Sequence, residues 1–147
     1  MHKKYRPLVL LIGALLLALS GAALNADYTY FTEVRAGIYS DSENCGLLSD
    51  GTIRCWDGGN PGSDGGEDGV TYTQVTQGRN FHCGLRADQT IYCTGSNASG
   101  PLNAPAGAFT QIDAKYLHGC GVRTDESVAC WGWDTYGQVT NTPTTGT

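Results

Sequence analysis

Cysteine supplies the most regular chemistry in the chain. "CGLLSDGTIRC" (45–55), "CGLRADQTIYC" (83–93) and "CGVRTDESVAC" (120–130) contain all six cysteines. Each is a C-x9-C stretch whose first cysteine is followed by Gly and then Leu or Val. Thiols can ligate metal, attack an electrophile or oxidise to a disulfide. Zinc favours C-x2–4-C pairs, and a disulfide has no thiolate to offer it, so the spacing speaks against a metal centre. Spacing alone leaves other connectivities open. The repeat argues for Cys45–Cys55, Cys83–Cys93 and Cys120–Cys130.

Other groups with chemical potential are sparser. Trp133, Asp134 and Tyr136 lie together after the last cysteine. An exposed Trp and Tyr beside an acid can hold a sugar or a protein partner, which makes this trio the candidate binding site. "DGGNPGSDGGEDG" (57–69) sets four acids among six glycines. Oxygen-rich loops can take calcium, but this spacing fits no EF-hand, and a solvated insertion is the better reading. His82 and His118 sit at hairpin entries, where a structural hydrogen bond is the simpler role. No Ser–His–Asp order, H-E-x-x-H or phosphate-cradling Gly motif is present, so no catalytic residue, cofactor or metal is assigned.

The elements that position these residues follow from periodicity. The first cysteines are 38 and then 37 residues apart, a period typical of stacked supersecondary units. Each unit opens on a strand-like alternation, "FTEV" (31–34), "YTQV" (72–75) or "FTQI" (109–112). A three-residue turn, Ser49-Asp50-Gly51, would set Leu48 against Thr52, Leu47 against Ile53 and Cys45 against Cys55. Leu47, Ile53 and the disulfide would share a face, as would Leu85 with Ile91 and Val122 with Val128. Gly51 suits the left-handed third position of such a turn. Gln89 and Glu126 stand in its place, which predicts strain or another turn type there.

The N-terminus reads as a secretory signal over residues 1–26. "MHKKYR" is basic, residues 7–24 carry no charge, and small residues at Ala22, Ala23 and Ala26 offer cleavage sites. The expected location is extracellular, periplasmic or at the cell surface, with no stable membrane insertion after cleavage. An exported chain with six cysteines is expected to be oxidised. Lys3, Lys4 and Arg6 belong to the leader, so residues 27–147 keep six bases against fourteen acids, a net charge of about −8. That surface repels phosphate backbones, and nucleic acid is not an expected partner.

Together these units resemble regulator of chromosome condensation repeats. The clearest copy is "FTQIDAKYLHGCGVRTDESVACWGWDTYGQV" (109–139), with His118, Cys120, Val122, Asp125, Val128, Cys130, Trp131-Gly132 and Tyr136-Gly137-Gln138 at signature positions. The second copy keeps Gly78, Cys83, Leu85, Asp88, Ile91, Cys93 and Gly100. The first keeps Gly37, Cys45, Leu47, Asp50-Gly51, Ile53 and Cys55-Trp56. The resemblance implies an all-β fold in which three blades of a β-propeller, about 30–70, 71–107 and 108–147, fill residues 27–147. Relatives usually close a ring of about seven four-stranded blades. Three blades leave two terminal faces, expected to present Leu47 and Ile53 or Val122 and Val128. The expectation is then a fragment of a longer propeller, a chain that completes itself with other copies, or one whose ends are capped irregularly. Trp56 and Trp131 are expected to point away from the disulfide face, into packing between blades. The resemblance implies a protein-binding module without catalysis, whose partner is unidentified. The alternative is a structural subunit that self-associates through its blade faces.

Overall fold

A computed structural model describes residues 28–37, 43–57 and 62–143. Residues 1–27, which include the expected signal segment 1–26, lie outside these residues, as do 38–42, 58–61 and 144–147. Ten strands and no helix occur among the described residues. Unit 1 holds β1 (Phe31–Arg35), β2 (Asn44–Leu48), β3 (Ile53–Trp56) and β4 (Ser63–Asp64). Unit 2 holds β5 (Tyr72–Gln77), β6 (Phe81–Arg86) and β7 (Ile91–Gly95). Unit 3 holds β8 (Phe109–Lys115), β9 (His118–Arg123) and β10 (Val128–Gly132). Each unit is one antiparallel sheet in sequence order. These are three blades of a β-propeller, the first with four strands and the others with three. The loop after Trp56 is not solvated throughout: Ser63 and Asp64 pair with β3, and Gly65 is buried against Cys55, Ile53 and His82.

The hairpins have the register the cysteines dictate. Cys45 faces Cys55, Cys83 faces Cys93 and Cys120 faces Cys130, and each pair is a disulfide with Cα atoms 4.0–4.1 Å apart. All three turns are of one kind. Leu48 N–H donates to the Thr52 carbonyl, Arg86 N–H to Thr90 and Arg123 N–H to Ser127. The third turn residue is left-handed in every copy, with φ of 84° at Gly51, 71° at Gln89 and 68° at Glu126. Of the two expectations for the last pair, strain holds and a different turn type does not. An aspartate pins each turn. The Asp50, Asp88 and Asp125 carboxylates accept the N–H and hydroxyl of Thr52, Thr90 and Ser127. Such side-chain bonds stabilise the turn before any tertiary packing exists.

The first strand of each unit is bulged, between Phe31 and Glu33, Tyr72 and Gln74, and Phe109 and Gln111. The intervening Thr32, Thr73 and Thr110 each turn the hydroxyl back to a carbonyl of the facing strand, at Leu47, Leu85 and Val122. The bulge lays the aromatic residue flat over the glycine that follows the first cysteine. A Cβ at Gly46, Gly84 or Gly121 would sit 2.4–2.7 Å from the ring of Phe31, Tyr72 or Phe109. The Gly after each first cysteine is therefore required by space, because the ring needs the area a side chain would occupy.

Each sheet consequently has two unlike faces. The aromatic and fourth-position residues look toward the preceding unit, and the hairpin residues look toward the following one. Tyr72 and Val75 fill a core with Leu47, Ile53 and Cys45–Cys55. Phe109, Ile112 and Trp131 fill a second with Phe81, Cys83 and Leu85. The expectation that Leu47 and Ile53 lie on a terminal face is therefore wrong. They are buried beneath unit 2, and the open face of unit 1 shows Phe31 and Val34 instead. At the other end Val128 is exposed, as expected.

Candidate interaction surface

Trp133 leaves β10 at Gly132, whose positive φ of 95° turns the chain sharply. Its N–H donates to the Leu117 carbonyl, anchoring it to the β8–β9 turn. The indole is half-buried rather than exposed. It lies edge-on between Tyr116 and Tyr136, with centroids 5.4 and 5.2 Å away. Arg79, from the β5–β6 turn, stands 6.0 Å over the Tyr116 ring, and its N–H donates to the Tyr116 carbonyl. A row of Arg79, Tyr116, Trp133 and Tyr136 thus forms from turns at one end of units 2 and 3. Tyr136 ends the row, 80% exposed. T-shaped pairs of this kind favour a fixed ring orientation.

Asp134 does not join Tyr136 and Trp133 as a free ligand. Its Oδ1 accepts the N–H groups of Val139 and Thr140, and its Oδ2 the Thr140 hydroxyl. These bonds hold the carboxyl below its ordinary range. Asp134 shapes the loop that presents Tyr136. Tyr116 and Arg79 were missed in the sequence reading. The signal was the "GRN" and "KYL" turns, which occupy equivalent places before β6 and β9.

Of the two tryptophans expected between blades, Trp131 is found there and Trp56 is not. Trp131 is buried between units 2 and 3 and donates its indole N–H to the Pro101 carbonyl at 2.8 Å. Trp56 lies on Phe31, 5.5 Å between centroids, on the open face of unit 1. His82 is buried under Gly65, whose carbonyl lies 2.7 Å from Nε2. Both ring nitrogens are 3.7 Å from Cys55 Sγ. Burial lowers the His82 pKa, against weaker upward pulls from the Gly65 carbonyl and Glu43. Glu43, Cys45, Cys55 and His82 are close enough to surround an ion. The two sulfurs are bonded to each other, however, and offer no thiolate. In the acidic loop Asp64 pairs with Arg54, and Glu67 accepts from Arg86 at 2.8 Å. These pairings commit the carboxylates to cations of the chain itself.

Residues 72–100 and 109–138 match the regulator of chromosome condensation (RCC1) repeat. No curated protein sequence matches the chain. Solved structures share its fold. The receptor kinase CR4 ectodomain of Physcomitrella patens superposes with a TM-score of 0.60 at 22% identity, over 71% of this chain and 31% of that one. Yeast RCC1 (Prp20), solved bound to Kap60, gives 0.63 at 16% identity, over 78% and 32%. The CRINKLY WD40 ectodomain of the Arabidopsis thaliana receptor kinase ACR4 gives 0.56 at 26% identity, over 71% and 38%. The chain spans about a third of the length of each.

Proposed function

The chain carries RCC1 repeats, and from that premise we propose that it is an exported binding module, without catalysis, that holds a protein partner on the loop end of units 2 and 3. The observation that carries the reading is the row of Tyr116, Trp133 and Tyr136 beside Arg79. Tyr, Trp and Arg dominate binding energy at protein interfaces: the aromatic rings bury large areas with little rotamer freedom to lose, and the arginine guanidinium offers a planar set of donors that stacks on them. Two further observations support the reading. Asp50, Asp88, Asp125 and Asp134 spend their carboxylates on hydrogen bonds that shape turns and loops. Export is supported by the three disulfides and by the likeness to receptor ectodomains.

The test is capture of proteins from the compartment into which the chain is exported. Wild-type chain is compared with Tyr136→Ala and Trp133→Ala. Species held by the wild type should be lost by both variants, with affinity falling roughly tenfold or more and thermal melting of Tyr136→Ala unchanged. Equal capture by all three proteins would overturn the reading.

A further inference from the structure

The junction between units is made twice inside the chain by the same contacts. At the first, Tyr72 N–H donates to the Gly51 carbonyl (2.7 Å) and Val75 N–H to Glu33 Oε2 (3.1 Å). At the second, Phe109 N–H donates to the Gln89 carbonyl (2.8 Å) and Ile112 N–H to Gln74 Oε1 (2.8 Å). In each case the first strand residue bonds the third turn residue of the preceding unit. The fourth bonds the third-position side chain. Their apolar side chains cover the preceding hairpin: Tyr72 is 4% exposed, and Val75, Phe109 and Ile112 at most 1%.

Among the described residues, each half of this junction recurs with its apolar side chains exposed, one half in unit 1 and the other in unit 3. Unit 1 has the donor half, with Phe31 47% and Val34 51% exposed. Unit 3 has the acceptor half: the Glu126 carbonyl, the exposed Gln111 side chain and an uncovered hairpin face with Val128 38% exposed. Charge agrees as well. The fifth strand positions meet inside the chain as Thr76 and Asp113, 3.1 Å apart. Between the two ends they would meet as Asp113 and Arg35, a carboxylate with a guanidinium, each of which also holds a partner within the chain, Thr76 and Glu33.

We propose that unit 3 of one chain receives unit 1 of a second copy through this same junction, with Val34 N–H on Gln111 and Phe31 N–H on the Glu126 carbonyl. The contact is head-to-tail, so it closes a ring or propagates according to the angle between units. It uses a surface separate from the aromatic row, so either can fail without the other.

The full chain is expressed in an exporting host and its mass in solution measured at micromolar concentration. Wild type is expected as a dimer or longer assembly, and a monomer overturns the proposal. Val34→Asp blocks the head only, and Val128→Asp the tail only. Each variant alone should be monomeric. Mixed, they should form one heterodimer and nothing larger, because one intact head and one intact tail remain. Association of Val128→Asp with itself would mean head-to-head contact and overturn the proposal. So would self-association of Val34→Asp, or absence of the heterodimer. Gln111→Ala, at an exposed side chain, should weaken wild-type association roughly tenfold with an unchanged circular dichroism spectrum. No weakening would exclude the stated register.

Discussion

Gln89 and Glu126 hold a backbone conformation that costs most L-residues roughly 1–2 kcal/mol, because Cβ crowds the carbonyl. Glycine removes that crowding but frees the unfolded chain by about 0.5–1 kcal/mol. Gln89→Gly and Glu126→Gly should therefore each stabilise modestly, by about 0.5–1 kcal/mol in denaturant melts. Gly51→Ala should do the reverse. At Gly84 the balance tips further. A methyl group there would lie 2.4 Å from the Tyr72 ring and 2.6 Å from Ile53, and Gly84→Ala should cost about 1–3 kcal/mol. Gly51 marked the left-handed turn position, and the strain at Gln89 and Glu126 could be read from their standing in its place; that the turn type stays the same could not, because it rests on the Asp88 and Asp125 side-chain bonds that pin those turns. His82 predicts a pH effect. Its folded pKa is depressed below 6.5 by burial, so on acidification the unfolded chain takes up a proton that the folded chain refuses. This contribution is fully present above pH 6.5 and is lost as pH falls from there toward the folded pKa. The melting temperature should decline over that window, and His82→Gln should flatten the slope. A second, separate loss should begin below about pH 3.8, where Asp50, Asp88 and Asp125 release their turns.

Within each hairpin the disulfide closes a loop over a sequence separation of ten residues. In the chain-entropy model it contributes roughly 2–3 kcal/mol. Replacing Cys83 and Cys93 together by alanine should lower stability by about that amount in equilibrium melts, with unit 2 still able to pair. Trp131→Phe keeps most of the apolar contact but leaves the buried Pro101 carbonyl without its indole donor, at a cost of about 1–3 kcal/mol. The hairpin register could be read from Cys45, Asp50 and Cys55 because a turn of fixed length admits one pairing. Which face of the hairpin another unit covers could not. That depends on the bulge at Thr32, Thr73 and Thr110, which turns the aromatic residue toward the preceding unit and leaves Leu47 and Ile53 for the next. β4 was hidden for another reason: Ser63 and Asp64 have no strand propensity, and they pair because β3 presents an open edge. Trp133 and Tyr136 could be picked out by type and spacing. Tyr116 could not, because it arrives from a different turn and meets them only when β8 and β9 pair.

At the scale of the whole molecule, acids outnumber bases by fourteen to nine over the full sequence, and by more once the first 26 residues are set aside. The chain should give no mobility shift with DNA at physiological salt, and a salt-sensitive complex at micromolar protein would contradict that expectation. A one-directional stack also protects its units unequally. Cys45 and Cys55 are fully buried under unit 2 and Gly65. Cys83 is buried and Cys93 half-buried, while Cys120 and Cys130 are both half-buried. Mild dithiol reductant followed by alkylation should therefore release thiols in order along the chain, from Cys120–Cys130 first to Cys45–Cys55 last. Attack on a disulfide needs access for the incoming thiolate. The chain then unravels chemically from its C-terminal unit inward. If a second copy seats its Phe31 and Val34 over that unit, the most reactive bond gains the shelter the first already has. Its rate of reduction becomes a measure of how concentrated the protein is.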